Sequence, residues 1–91
     1  MSIQIRIPES LQFKTNGEPI IHVMGNTIRE CLIALVRRFP VLEGEIVDDQ
    51  GVLLLKWLIS INSKIVSTSD ELSSPVAHGD VIGFIPVIAG G

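Results

Sequence analysis

The final five residues of the chain, Val87-Ile88-Ala89-Gly90-Gly91, carry no charge and end in two glycines. Glycine has no Cβ, so a carboxylate on Gly91 is the least hindered acyl group that a protein can present, and glycines pass through narrow channels. Chain termini are usually polar and frayed. An apolar, glycine-ended tail therefore indicates that the C-terminus itself is the working part of the molecule.

The other side chains with catalytic or metal-binding chemistry stand alone. His22 falls within a predicted strand and His78 within a predicted turn, and neither has a cysteine or carboxylate at metal-ligand spacing. Cys31 lies beside the apolar stripe of a predicted helix, which favours a structural thiol over a nucleophile. The motifs GxSxG, P-loop, HExxH and CxxC do not occur. We therefore predict no catalytic residues, no metal site and no permanently bound cofactor.

Composition limits the remaining function classes. The 91 residues make one domain, and the net charge of −3 argues against nucleic acid or an anionic membrane as a partner. Tyrosine is absent and Trp57 is the only tryptophan, so platforms for stacked bases are missing. One cysteine forms no internal disulfide, which favours a reducing, cytoplasmic setting. No apolar run approaches the ~20 residues that span a bilayer.

Two strands and a helix are predicted in the first half of the chain. Alternation of Ile3, Ile5 and Ile7 with polar residues predicts a strand that Pro8 stops, and residues 20–24 predict a second strand after a reversal at residues 15–17. The pair suggests an antiparallel hairpin. A capping box of Thr27 and Glu30 opens the helix, and Pro40 closes it. Its apolar stripe consists of Ile28, Leu32, Leu35, Val36 and Phe39.

The second half predicts three strands. Residues 41–51 read as a solvated connection with four carboxylates, and residues 52–61 as an apolar third strand. A tight turn at Asn62-Ser63 leads to a short return strand at 64–66. His78-Gly79-Asp80 reads as a turn before the last strand at 81–85, which Pro86 ends.

The predicted order is thus β-β-α-β-β-β with one helix, which cannot cover both faces of a sheet. We predict an α+β fold, a mixed sheet of about five strands with one main helix packed on one face. Pairing of the first and last strands in the sheet centre gives the ubiquitin-like β-grasp. Residues 1–86 form this domain and residues 87–91 a flexible tail.

The third strand is more apolar than one buried face requires. Alternation places Leu53, Leu55, Trp57, Ile59 and Ile61 against the helix. Leu54 and Leu58 then lie on the open face, where together with Ile85 they form a predicted docking patch for a partner. The alternative is scattered surface leucines, which are common in any protein.

Five segments resemble the small β-grasp sulfur carriers of the MoaD/ThiS family, and the resemblance covers essentially the whole chain. They are Asn26-Thr27-Ile28-Arg29-Glu30-Cys31-Leu32, Arg38-Phe39-Pro40-Val41-Leu42, Ser60-Ile61-Asn62, His78-Gly79-Asp80-Val81-Ile82 and the tail from Ile85 to Gly91. The tail is the specific one. The family turn Asn-Gly is here Asn62-Ser63. Val87 in place of a second tail proline, with the start Ile7-Pro8-Glu9-Ser10-Leu11, looks more like a carrier for cysteine synthesis than a molybdopterin-synthase subunit.

The resemblance implies two partner enzymes. An E1-like adenylyltransferase/sulfurtransferase uses Mg-ATP to adenylate the Gly91 carboxylate, and a sulfur donor then displaces AMP to leave a thiocarboxylate. A sulfur-acceptor enzyme, a molybdopterin synthase large subunit or a cysteine synthase-like enzyme, takes the sulfur. The residues expected to insert into these partners are Pro86, Val87, Ile88, Ala89, Gly90 and Gly91.

The sequence is also compatible with three other functions. The tail can serve a ubiquitin-like modifier that is joined to lysines of target proteins. The chain can be the non-catalytic small subunit of molybdopterin synthase, with its tail held permanently in the large subunit. It can also be a β-grasp interaction module with an inert tail.

Overall fold

The computed structural model describes residues 2–66 and 72–87, in which five strands form one mixed sheet. The strands are β1 (Ile3–Arg6), β2 (Ile20–Val23), β3 (Trp57–Ile61), β4 (Lys64–Ile65) and β5 (Val81–Pro86), and the helix α1 spans Ile28–Arg38. The sheet order is β2-β1-β5-β3-β4. β1 and β5 run parallel in its centre, and the other neighbours are antiparallel. This is the predicted α+β arrangement.

Helix α1 begins where the sequence predicts. The Thr27 hydroxyl accepts a hydrogen bond from the Glu30 amide at 3.2 Å, and the Glu30 carboxylate accepts one from the Asn26 amide at 2.9 Å. The glutamate thus reaches one residue beyond the cap, and two amides at the helix start are satisfied. Arg37 and Arg38 lie in the last turn, where positive charge complements the helix dipole.

The core lies between α1 and the facing side of the sheet. Alternate strand residues are fully buried there, and the helix contributes the predicted stripe. Fully buried members of this core are Ile3, Ile5, Ile28, Leu35, Ile59 and Ile82. Each such side chain contributes roughly 1.5–3 kcal/mol through burial, so one helix suffices to hold the sheet.

Residues between β1 and β2 differ from the predicted polar turn. They form a 3₁₀ helix, Glu9–Thr15, that buries Leu11 and Thr15. The Thr15 hydroxyl lies 2.8 Å from the Glu18 carbonyl oxygen, so the buried polar group is satisfied. The predicted reversal follows it: Asn16 and Gly17 both adopt positive φ, at 56° and 79°.

The prediction of a ten-residue third strand is wrong at its start. β3 begins only at Trp57, and Leu55, predicted to face the helix, is 95% exposed. Residues 48–52 fold into a tight turn, because the Asp48 carboxylate accepts hydrogen bonds from the amides of Gln50 and Val52. The chain therefore reaches the sheet later than its hydrophobic pattern suggests.

The connection at residues 41–51 is less solvated than predicted. Its carboxylates lie at the surface, but Leu42, Ile46 and Val47 are buried in the core. The Trp57 indole nitrogen donates a hydrogen bond of 2.7 Å to the Glu45 carbonyl and ties the connection to β3.

Candidate functional site

The C-terminal tail leaves the sheet at Pro86 and Val87, here called the root of the tail, and the backbone of both residues is held by β3. Pro86 is the last residue of β5 and pairs with Trp57, one residue beyond the predicted strand end. The Val87 amide then donates a hydrogen bond of 2.8 Å to the Lys56 carbonyl. Val87, predicted to begin the flexible tail, is therefore still held by its backbone while its side chain is 45% exposed. The direction of the chain at Val87 is set by the sheet.

The reacting end of the predicted site lies beyond this root. Ile88, Ala89, Gly90 and Gly91 fall outside the described residues. Four residues span at most about 13–14 Å when extended, at ~3.3–3.6 Å per residue. Their predicted roles in insertion and sulfur transfer, and the division into residues 1–86 and 87–91, stay predictions.

The face of the sheet opposite α1, here called the outer face, carries part of the predicted docking patch. Leu58 and Ile85 are cross-strand partners on this face, and Ile85 is 37% exposed. Their predicted placement is confirmed, and their docking role stays a prediction. Leu54 is a correction: it precedes β3 and packs against the core. It lacks the strand position that would turn it to the outer face.

Asp80 fastens the start of β5 to the β3–β4 turn. Its carboxylate accepts hydrogen bonds from the Ala77 amide at 2.8 Å and the Asn62 side chain at 3.0 Å. Asn62 in turn accepts one from the Val81 amide at 2.9 Å. The Ala77 bond, followed by the Asn62 bond, lowers the pKa of Asp80. These hydrogen bonds of Asp80 and Asn62, here called the clamp, therefore stabilise the fold at pH values above the usual aspartate pKa. The stabilisation is lost as the pH falls through the lowered pKa of Asp80.

The clamp also holds the turn in which Ser63 stands in place of the family glycine. Asn62 and Ser63 both take positive φ, at 52° and 73°, without a glycine. The side-chain bonds of Asn62 offset the backbone strain. The predicted survival of the hairpin at Asn62-Ser63 is confirmed, because β4 pairs with β3 across it.

The two histidines and the cysteine occupy separate positions in the fold. The His78 ring accepts a hydrogen bond from the Ser2 amide at 3.1 Å, and His22 sits on β2 opposite Gln4. Cys31 is fully buried, and burial raises the pKa of its thiol, which disfavours the reactive thiolate.

Within residues 2–66 and 72–87, no cluster of three metal-ligating side chains is found. Across the same ranges, no helix has the length and apolar character needed to cross a membrane.

The structure thus holds the start of the tail at Val87 and places the apolar pair Leu58 and Ile85 on the outer face. The sequence model of the ThiS family matches residues 5–91, which include the whole tail. The chain belongs to the ThiS family.

Individual relatives place this member of the ThiS family near carriers named CysO. The sulfur carrier protein CysO of Mycobacterium tuberculosis is 25% identical over 93 residues, which cover 100% of both proteins. A chain of the Amycolatopsis orientalis BexX/CysO complex superposes with a TM-score of 0.83 at 26% identity, over 98% of this chain and 99% of that one. SAMP1 of Haloferax volcanii shares the fold, with a TM-score of 0.80 at 24% identity and full coverage of both chains.

These similarities confirm the predicted resemblance to MoaD/ThiS sulfur carriers and the β-grasp fold. The relatives' name describes a carrier, in agreement with the prediction that this chain is not an enzyme.

Proposed function

We propose that this chain is a sulfur carrier whose Gly91 carboxylate is adenylated by an E1-like enzyme and then converted to a thiocarboxylate. The observation that carries the proposal is the ThiS-family match, which extends through Gly91. The fixed root at Val87 supports it, because a partner that binds the outer face receives the tail from a defined point. We place the carrier in the cytoplasm as part of this proposal.

The proposed chemistry needs activation because a carboxylate is a poor electrophile at neutral pH. In the activating enzyme, the Gly91 carboxylate attacks the α-phosphate of Mg-ATP, and pyrophosphate leaves. A sulfur nucleophile then attacks the acyl carbon of the adenylate, and AMP leaves with its bonding electrons. ATP and magnesium are thus substrates of the partner, and the carrier supplies the acyl group with its low steric hindrance.

The carrier's own contribution is to separate binding from reaction. The outer face supplies contact area, while the tail inserts into a site that the folded body does not enter. Val87 and Ile88 bind the channel wall in this scheme, with Pro86 at its mouth and Ala89 further in. Gly90 and Gly91 occupy the narrowest part, where a side chain clashes.

We propose a cysteine synthase-like enzyme as the sulfur acceptor. The support comes from relatives named CysO and from the single tail proline, Pro86. A CysO has been crystallised in a complex with BexX, which supports assembly of such carriers with a partner. A molybdopterin synthase large subunit is the alternative acceptor, and transfer to each enzyme separates the two.

Intact-mass spectrometry tests the proposed function. The purified chain is incubated with Mg-ATP, an E1-like enzyme of a ThiS-family carrier and sulfide. Replacement of one oxygen by sulfur is expected to add about 16 Da. An unchanged mass with an enzyme that loads its own carrier contradicts the proposal.

The docking role of the outer face is tested by Leu58→Asp. A carboxylate in the apolar contact is expected to raise the carrier KM for loading by about tenfold or more, which corresponds to ~1.4 kcal/mol of binding. Because Leu58 is only half-buried, the far-ultraviolet circular dichroism spectrum should stay unchanged. Ile33→Asp, on the exposed side of α1, is the matched control and should load like the parent. An unchanged KM for Leu58→Asp removes the patch.

A ubiquitin-like modifier is the second candidate, since both uses pass through the same acyl-adenylate. SAMP1 shares the fold, and a chain that ends in Gly-Gly can form an isopeptide bond with a lysine. Masses of covalent conjugates from cells that express a tagged chain distinguish it from a carrier, which remains a free thiocarboxylate.

A further inference from the structure

A cleft of about 280 Å³ lies on the outer face, lined by residues of β1, β3 and β5. Arg6, Ser60 and Gly83 line it, and Ser60 and Gly83 are cross-strand partners. The cleft is distinct from the tail and from every residue assigned a role above. Leu58 and Ile85 lie on two of these strands, β3 and β5.

Gly83 creates the space. A Cβ atom built on Gly83 would lie only 2.6 Å from the Ser60 hydroxyl oxygen. Glycine within a central strand weakens that strand and often marks a place where another group approaches closely. Here the group over the glycine is a hydroxyl of the opposite strand, so the floor of the cleft is polar.

The Ser60 hydroxyl has no hydrogen-bond partner among the residues that the structure describes. Ser60 is only 8% exposed, yet its side chain makes no hydrogen bond to any residue within 2–66 or 72–87. Buried hydroxyls in native proteins are almost always paired, so an unpaired one calls for an explanation. As a lining residue, Ser60 can offer this hydroxyl to a group that enters the cleft.

The charge of the cleft is positive. Arg6 is exposed and forms no ion pair with a carboxylate in the described ranges, and none of the lining residues is acidic. A guanidinium donates hydrogen bonds and accepts none, and its planar fork matches a carboxylate. Hydroxyls of Ser60 and Ser63 add donors within the same cleft.

We propose that this cleft binds a carboxylate side chain, aspartate or glutamate, of the activating enzyme that docks on the outer face. The partner assignment rests on the proposed function. Leu58 and Ile85 flank the cleft, and covering them with a partner removes water and strengthens the ion pair. On a carrier with a net charge of −3, a basic cleft on the outer face also fixes the orientation in which an acidic partner group approaches.

The cleft itself is tested without any enzyme, by ¹⁵N–¹H correlation spectra during titration with sodium acetate against sodium chloride at equal ionic strength. Saturable shifts of the Ser60 and Gly83 amides are expected with acetate only. Arg6→Gln is expected to weaken acetate binding by roughly tenfold, while Arg29→Gln on α1 leaves it unchanged. Absence of saturation, equal shifts with chloride, or saturation by inorganic phosphate at lower concentration than by acetate overturns the proposal.

Ser60→Ala separates a binding role from a structural one. Removing an unpaired hydroxyl is expected to leave the Tm equal to or above that of the parent, while acetate binding weakens. A lower Tm with unchanged acetate binding assigns the hydroxyl to the fold and overturns the proposal.

The partner is tested in the loading assay. Arg6→Gln is expected to raise the carrier KM by roughly tenfold with kcat unchanged, because the residue binds and does not react. An unchanged KM overturns the assignment to the activating enzyme. If no chain is loaded at all, the proposed function fails, while the acetate titration still decides whether the cleft binds a carboxylate.

Discussion

Removal of Gly91 is expected to abolish sulfur loading, and Gly91→Ala to slow it by about 10²-fold, the size of effect that a misplacement of ~1 Å produces. Deletion draws the terminal carboxylate back by one residue, ~3.3–3.6 Å, because the root at Val87 is fixed to Lys56 and does not advance. Alanine keeps the reach but adds a Cβ beside the reacting carbon, in a channel matched to glycine.

The rate of thiocarboxylate formation is measured by intact-mass spectrometry at several carrier concentrations, which gives kcat and the carrier KM separately. Both changes should lower kcat and leave KM within about twofold, because the outer face that binds the enzyme is intact. Val41→Ala, an exposed site at the helix exit, serves as the control and should load at the parental rate. A truncated chain that shows the mass increase of oxygen replaced by sulfur would show that the terminal glycine is not the acceptor position.

Local signals in the sequence were sufficient for the elements that carry the tail. The alternation of Ile3 and Ile5 predicted β1, and the pairing of Thr27 with Glu30 predicted the start of α1. Both are confirmed, because strand alternation and helix capping involve residues within four positions of each other. The pairing of β1 with β5 in the sheet centre, inferred from the element order, is confirmed too, and the structure shows that the two strands run parallel.

The start of β3 was not predictable from its own residues. Apolar alternation continues from Leu53 to Ile61, but a strand needs a partner. β5 offers one from Val81 to Pro86, and its last residue pairs with Trp57. Before Trp57, the Val87 amide donates to the Lys56 carbonyl, and within residues 72–87 no further residue of the β5 segment pairs with this stretch. The length of β3 is therefore set by a segment more than 20 residues away in the sequence. For this reason the predictions from alternation, that Leu55 faces the helix and Leu54 the open face, were wrong.

The cleft on the outer face depends on register between strands. The sequence contains one hint, a glycine inside the apolar run Val81-Ile82-Gly83-Phe84-Ile85. Nothing local indicates that Gly83 faces Ser60, or that Arg6 lines the same space. The placement of Leu58 and Ile85, the predicted docking residues, was accessible to sequence reasoning because each lies on the open face by simple alternation.

A comparison of two leucines shows how far the fold depends on burial. Leu35→Ala removes a fully buried side chain of α1 and is expected to lower the free energy of unfolding by about 2–5 kcal/mol. For a domain with about 5–15 kcal/mol of stability, the loss is large, and the Tm should fall by about 10 °C or more. The change in the free energy of unfolding is measured by urea titration, with the slope of that free energy against urea concentration equal in the two proteins.

Leu55→Ala is the matched control, with the same atoms removed from a side chain that is 95% exposed, and it should change the free energy of unfolding by less than about 0.5 kcal/mol. Equal losses for the two variants would mean that β3 extends to Leu55 and that the side chain points inward. At a temperature where Leu35→Ala is still folded, its loading rate should match the parent. Stability lies in the packing of α1 on the sheet, whereas the proposed reaction uses only the outer face and the tail.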